Sequence, residues 1–267
     1  MSHGVPPNTV YGGGVSWNFP VCEGAALWTP VQLGAQVVGW FDASNLPSLT
    51  IAGGLVSQWA SLVGGITANA AAAARPTYSA TGRNGKPALL FNGATTQMLI
   101  SSTAGFPLGA NAGFIAGQAF ASGFFAYQAI LGYGSVAASQ LRTVVNDVVN
   151  SASANDLVGS ISLPATWPGD ATPIAEFTAA KLGLRVNGGA ETNLALGGLN
   201  TPLLAGYIGA YSAGAGLWNG AIQELLVISG ALTVNNANKL SGYLMWKWGV
   251  QALINPANPY FTAPPTI

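Results

Sequence analysis

Ionised side chains are scarce: eight basic and eight acidic residues make only 6% of this 267-residue chain charged, against about 25% in ordinary globular proteins. That scarcity excludes nucleic-acid binding, which needs clustered Lys and Arg to displace counterions. Cys22 is the single cysteine, so no intramolecular disulfide can form. With His3 the single histidine, Cys22 lacks a base and reads as a small buried apolar residue. Half the residues are apolar, yet no run of about eighteen apolar residues occurs, and no membrane insertion is expected. MSHGVPPNTVYGGG has no basic region ahead of an apolar core and does not read as a secretory signal. The glycine clusters at 12–14 and 214–216 are not followed by Lys-Ser/Thr, so no phosphate loop and no cofactor is expected. A surface so poor in charge is either rich in hydroxyls and amides or covered by partners.

What is present is a series of short apolar runs bounded by Gly, Pro, Asn and Ser, the pattern of an antiparallel β-sandwich. Strands are expected at Val37–Phe41, Leu55–Trp59, Ala88–Phe91, Gln97–Ile100, Gly113–Phe120, Phe124–Tyr133 and Leu141–Asn146. Others follow at Leu157–Ser162, Ile174–Thr178, Leu182–Val186, Leu204–Ala210 and Trp218–Ser229. Asn187-Gly188-Gly189 is a hairpin signal, because Asn and Gly tolerate positive φ. Ala70–Ala74 is too short to hold a helix alone and reads as a loop or one turn. Thr233 caps a helix at 234–248, with Val234, Ala237, Leu240, Leu244 and Trp248 as its apolar stripe and Gly249 at its end. NPANPYFTAPP then runs as an extended surface tail. Residues 1–30 are turn-rich and form an irregular N-terminal arm, with Trp17 and Trp28 as anchors for assembly; residues 31–267 form the domain.

LSGYLMWKWG with the tail, GWFDASNLPSLTIAGGLVSQWASLVG, and RPTYSATGRNGKPALLFNG together resemble the opening and closing signatures of concanavalin A-like (LamG-type) jelly-roll domains of phage and prophage virion proteins. The resemblance spans about Val37–Pro265. It implies an all-β jelly-roll sandwich with a short C-terminal helix, in a non-enzymatic virion structural protein such as a head decoration, fibre or tail-associated subunit. The implied location is the outer surface of the phage particle. The implied partners are other virion proteins and copies of itself, a homotrimer being favoured, with host-surface glycan as a candidate ligand. Two alternatives stay open: a dedicated carbohydrate-binding module, and a degenerate glycoside hydrolase or lyase.

Retaining glycosidases need two carboxyl groups about 5 Å apart. No compact acidic pattern offers them, since Glu176, Glu191 and Glu224 lie on separate segments, and no catalytic residue is assigned. Glu224, placed on one strand face with Ile222, Leu226 and Ile228, reads as a buried structural anchor needing Arg185, Arg75 or backbone amides. Asp42 is expected to cap a local turn, and Trp59, the second tryptophan of the opening signature, to be structural. Ala60-Ser61 and Phe91-Asn92-Gly93 stand where the family often has acids, so no metal site is assigned. Glycan recognition needs aromatic faces beside amide and carboxylate groups. The candidates are Trp167 with Asp170, and Tyr211, Trp218 and Asn219 near the late-strand loops.

Overall fold

The computed structural model describes residues 25–123, 127–135, 140–146, 151–155, 160–164, 169–195 and 199–267. Among them are eighteen strands and one α-helix, in an all-β sandwich of jelly-roll type. The back layer runs Val37–Asp42, Asn219–Ser229, Gly113–Ala121, Pro173–Phe177, Lys181–Val186 and Thr192–Ala195, each antiparallel to the next. The front layer runs from Leu49–Ala52 through Leu55–Ala60, Thr67–Asn69, Met98–Ile100, Gly206–Ile208, Gln128–Ser135 and Gln140–Asn146 to Ser151–Asn155 and Ser160–Pro164. Thr77–Arg83 and Lys86–Asn92 complete it. The layers join at one seam. Asn219–Ile222 pairs with Leu89–Asn92, while Glu224–Ile228 further along the same strand pairs with Val37–Asp42.

Side-chain alternation places the core between the layers. Met98 and Ile100 are buried there while Leu99 between them faces out. Phe41, Trp59, Phe91, Ile115, Phe177 and Leu225 meet them from both sheets, Phe41 lying edge-on to Trp59. Gly113–Ala121 is buried almost throughout, because its second face is covered too. The cover is the helix Val234–Lys247, whose Ala237, Leu240 and Leu244 are buried with its C-cap Trp248, the last three against Trp40, Phe114, Ala116, Ile174, Leu226 and Ile228. Thr233 caps it, accepting from Asn236 N at 3.1 Å. Val234, expected in the apolar stripe, is 62% exposed and lines a groove beside the helix start. The tail folds back over the helix, Trp246 Nε1 donating to Tyr260 O. It ends paired with residues 26–28 through Trp28 N to Pro265 O and Ile267 N to Ala26 O, both 2.9 Å.

Several expectations are corrected. Trp28, read as an anchor for a neighbouring protein, is buried at 3% exposure and packs edge-on against Tyr243 of its own helix. Glu224 does not share a face with Ile222. A bulge between Ile222 and Glu224 shifts the register, so Ile222 points into the sandwich core while Leu226 and Ile228 lie under the helix. Trp17 and Trp167 lie outside the described residues.

Candidate functional site

The signatures at the two ends of the sequence meet in one buried polar knot between helix and sheet. Glu224, fully buried, accepts from Trp40 Nε1 at 2.7 Å, Trp248 Nε1 at 2.6 Å and Tyr243 OH at 3.0 Å. Its cation is Lys247, not Arg185 or Arg75; Nζ lies 2.7 Å from Glu224 Oε2 and 2.7 Å from Asp42 Oδ2. The other oxygen of Asp42 closes the expected turn, accepting from Ser44 N at 2.8 Å. Burial pushes the Glu224 carboxyl up, with Lys247 opposing and Asp42 adding to the rise. Burial alone would lower Lys247, but the two carboxylates outweigh it and hold the ammonium above its usual range. Closed from solvent and fully engaged, the knot pins the helix and offers no place for a ligand.

Of the glycan candidates, Trp218 is fully buried in the sandwich core, so its ring cannot stack on a sugar. Asp170 is buried and held by Arg83, whose Nε and Nη2 reach its carboxylate at 3.0 and 2.6 Å while the guanidinium lies over Phe120. Its carboxylate is therefore a fastener between the Thr77–Arg83 hairpin and the back sheet. Tyr211 and Asn219 remain half-buried at the loop end of the sandwich. There Gly216 lies between the Tyr211 ring and the carbonyl of Tyr127, which is exposed and holds φ at +64°.

The open side of the front layer carries a feature that no local pattern announces. The registers align one transverse row: Thr50, Gln58, Asn69, Leu99, Tyr207, Gly132, Thr143, Asn155 and Ser160. Gln58 Nε2 donates to Asn69 Oδ1 at 3.0 Å, and Asn69 Nδ2 to Thr67 Oγ1 at 3.1 Å, so the amides are held in fixed orientation. Leu99 is 44% exposed and Tyr207 half-buried, with Gly132 as its cross-strand neighbour. From Thr50 to Gly132 the row holds no ionisable group except the Tyr207 phenol. This stretch offers amide and hydroxyl donors and acceptors around a single aromatic ring that has glycine beside it.

The acids are less scattered than the sequence suggests. On the outer face of the back layer, Lys181 Nζ donates to Glu176 Oε2 and, at 2.9 Å, to Glu191 Oε1. Arg185 Nη2 reaches Glu191 Oε2 at 3.3 Å. Two carboxylates thus converge at the wall of an open groove. A retaining mechanism needs the scissile bond between its carboxyl groups. Here the Lys181 ammonium holds that position, bonded to both, and with Arg185 it balances their charge.

No family model matches the sequence, and no curated protein matches it. Among solved structures, domain 4 of AbnA, a GH43 extracellular arabinanase from Geobacillus stearothermophilus in complex with arabinotriose, is similar with a TM-score of 0.51 at 13% identity, over 77% of this chain and 98% of that domain. A mutant GH54 α-L-arabinofuranosidase is similar with a TM-score of 0.53 at 13% identity, over 75% of this chain. This chain covers 53% of that enzyme's length. An arabinofuranosidase complexed with arabinofuranosyl-α-1,2-xylobiose gives a TM-score of 0.53 over 72% of this chain and 51% of its own, again at 13% identity. At such identities the likeness is one of fold: the chain shares its β-sandwich with domains of carbohydrate-active proteins.

Proposed function

We propose that this chain binds carbohydrate without cleaving it, through the open face centred on Tyr207. The uncharged cross-strand row from Gln58 to Gly132 carries this reading. Sugar hydroxyls are neutral and pair with amides and hydroxyls as donors and acceptors at once, while the C–H face of a pyranose or furanose packs on an aromatic ring. A neutral row serves that ligand and serves an anion or a cation poorly. The fold shared with the GH43-associated domain, solved with arabinotriose, supports the same class of ligand. The non-catalytic reading is supported by the engagement of Glu176, Glu191 and Glu224 with lysine.

Affinity electrophoresis on a panel of soluble polysaccharides, arabinan and xylan included, tests the reading. Tyr207→Ala is expected to weaken the retained ligand at least about tenfold, about 1.4 kcal/mol, as truncating a central aromatic hot spot does. Thermal stability is expected to stay near that of the parent, since Tyr207 lies outside the core cluster. Retention of no polysaccharide, or retention indifferent to Tyr207→Ala, removes the proposal. Release of reducing ends from a retained glycan would favour a hydrolase instead.

We further propose that the domain is displayed on a virion surface. The resemblance of its end signatures to phage jelly-roll modules and the sparseness of charge support this. Antibody raised against the chain is expected to decorate intact particles from a producing lysate; labelling confined to disrupted particles counts against surface display.

A further inference from the structure

The groove on the outer face of the back layer is a second feature that the open-face reading leaves unused. Its volume is about 590 Å³, within the range of about 300–1,000 Å³ typical of small-ligand sites. Strands, hairpin and helix each contribute one wall. Glu176, Lys181 and Arg185 come from the paired strands Pro173–Phe177 and Lys181–Val186, Glu191 and Asn193 from the return of the hairpin, and Asn258 from the tail. Leu232 and Val234, at the start of the helix, form the opposite, aliphatic side.

Three observations define what this groove accepts. First, two of the chain's eight basic and two of its eight acidic residues gather here, and their charges cancel, so neither an anion nor a cation is drawn in by net field. Second, donors and acceptors alternate. The carboxylates of Glu176 and Glu191 can only accept, Lys181 and Arg185 can only donate, and the amides do both. A neighbouring pair of hydroxyls, each giving one proton and accepting another, is the complement of such an array. Third, Arg185 is under-engaged for a guanidinium whose side chain is only 11% exposed. Its bonds to Glu191 Oε2 and Gly189 O are 3.3 and 3.4 Å, beyond the 2.7–2.9 Å of strong charge-assisted pairs. Ligand oxygens can take up that unused donor capacity.

The array is fixed in place before any ligand arrives. A side chain on Gly183 would sit 2.9 Å from Glu191 Oε1, so the bare backbone there lets Glu191 lie flat across the strand and reach Lys181. Asn258, buried, is tied to Gly188 O at 3.0 Å, which fastens the tail to the hairpin turn. Val234, whose exposure was the departure from the expected helix stripe, gives the groove an apolar rim for the C–H side of a ring.

We infer that this groove binds the end residue of a neutral saccharide through a vicinal diol, as a site separate from the Tyr207 face and sharing no residue with it. The test is a heteronuclear NMR titration of the full chain with glucose, galactose, mannose and arabinose, and with glucuronate as the charged comparison. The Asn193, Asn238 and Asn258 side-chain amides are the reporters. At least one neutral sugar is expected to shift these amides saturably and more tightly than glucuronate. Ala190→Trp, at an exposed position lining the groove, is expected to weaken that binding at least tenfold. Asn193→Ala, also exposed, is expected to weaken it without altering the fold, and Tyr207→Ala to leave it unchanged. No saturable shift with any neutral sugar overturns the inference, as does binding that survives Ala190→Trp or a preference for glucuronate. Loss of the groove signal in Tyr207→Ala would show one shared site and overturn the separation. Because polysaccharide retention and groove titration are read on different variants, failure of either leaves the other interpretable.

Discussion

Replacing Lys247 with Met is expected to cost about 3–5 kcal/mol of folding stability, the range for leaving buried charge without its partner. Nζ touches Asp42 Oδ2, Glu224 Oε2 and Tyr243 OH. Methionine has similar length but removes the ammonium, leaving two carboxylates packed against tryptophan and tyrosine. Urea denaturation reads the loss as a lowered midpoint at unchanged slope. Adding Glu224→Gln is expected to recover part of it, since the second change removes one of the orphaned charges; the two effects then fail to add. A loss below about 1 kcal/mol, or strict additivity, would mean that water or a conformational shift satisfies the carboxylates. The same knot sets a pH signature. Lys247 is raised above 10.5 and burial raises Tyr243 above 10.0; apart from the knot, burial in the sandwich core raises Tyr133 from 10.0 to about 12. Groups raised in the folded state bind their protons more tightly there than in the unfolded chain. Their stabilisation is complete below the unfolded values and is lost as pH climbs from about 10 through the folded ones. Glu224, also raised, has the same sign on the acid side, so lowering the pH through its folded value toward 4.5 strengthens rather than weakens the fold through this group. Thermal midpoints are therefore expected to fall above pH 10, and less steeply in Lys247→Met.

The knot also explains how much of this architecture was legible beforehand. Trp40 with Asp42, Glu224 alone, and Tyr243 with Lys247 and Trp248 come from three separate stretches of the chain, yet they fall within the segments that read most clearly, because one buried cluster fixes all of them. The cation, sought in Arg185 or Arg75, was missed although a signal for it existed. Lys247 lies three residues after Leu244 and seven after Leu240, on the apolar stripe of the helix, and a lysine there calls for a buried acid. Strands with long apolar runs, such as Asn219–Ser229, showed themselves, whereas Leu49–Ala52, Thr67–Asn69 and Thr77–Arg83 did not. Each either very short or largely polar, and half-exposed, those three form through cross-strand pairing rather than local preference. Tyr207 was hidden for a related reason. Gly206 and Ile208 face inward, and which face of so short a strand meets solvent depends on registers set by distant partners. Trp218 was misleading in the opposite way: a tryptophan beside an asparagine and a glycine looks like a loop, but the seam buries it.

The second large effect is expected at that seam. Gly220→Ala should cost about 3 kcal/mol or more, combining an unfavourable backbone of about 1–3 kcal/mol with overpacking of about 1–3 kcal/mol. Gly220 has φ +151°, and a Cβ there would lie 1.9 Å from Phe120 O and 3.0 Å from Ala121 Cα. Both obstacles are backbone, so no rotamer change relieves them. Nor can the strand retreat, because Gly220 pairs with Ala121 on one side and Phe91 on the other, in the stretch that joins the two layers. Gly214→Ala is the matched control: φ is +68°, but nothing lies within 4 Å of the added carbon. It carries the conformational cost without the collision. The difference between the two variants in denaturant midpoint thus isolates the close approach of the strands at the seam. The consequence reaches the proposed binding face, because Asn219–Ile222 and Lys86–Asn92 hold the front layer in register with the back. Gly220→Ala should therefore weaken glycan retention by the folded fraction as well as lower stability, whereas Tyr207→Ala should affect retention alone. Equal midpoints for Gly220→Ala and Gly214→Ala would mean that the seam yields to a methyl group. A junction that soft could not hold the Gln58–Tyr207 row in a fixed geometry, and the face would have to be shaped by its ligand.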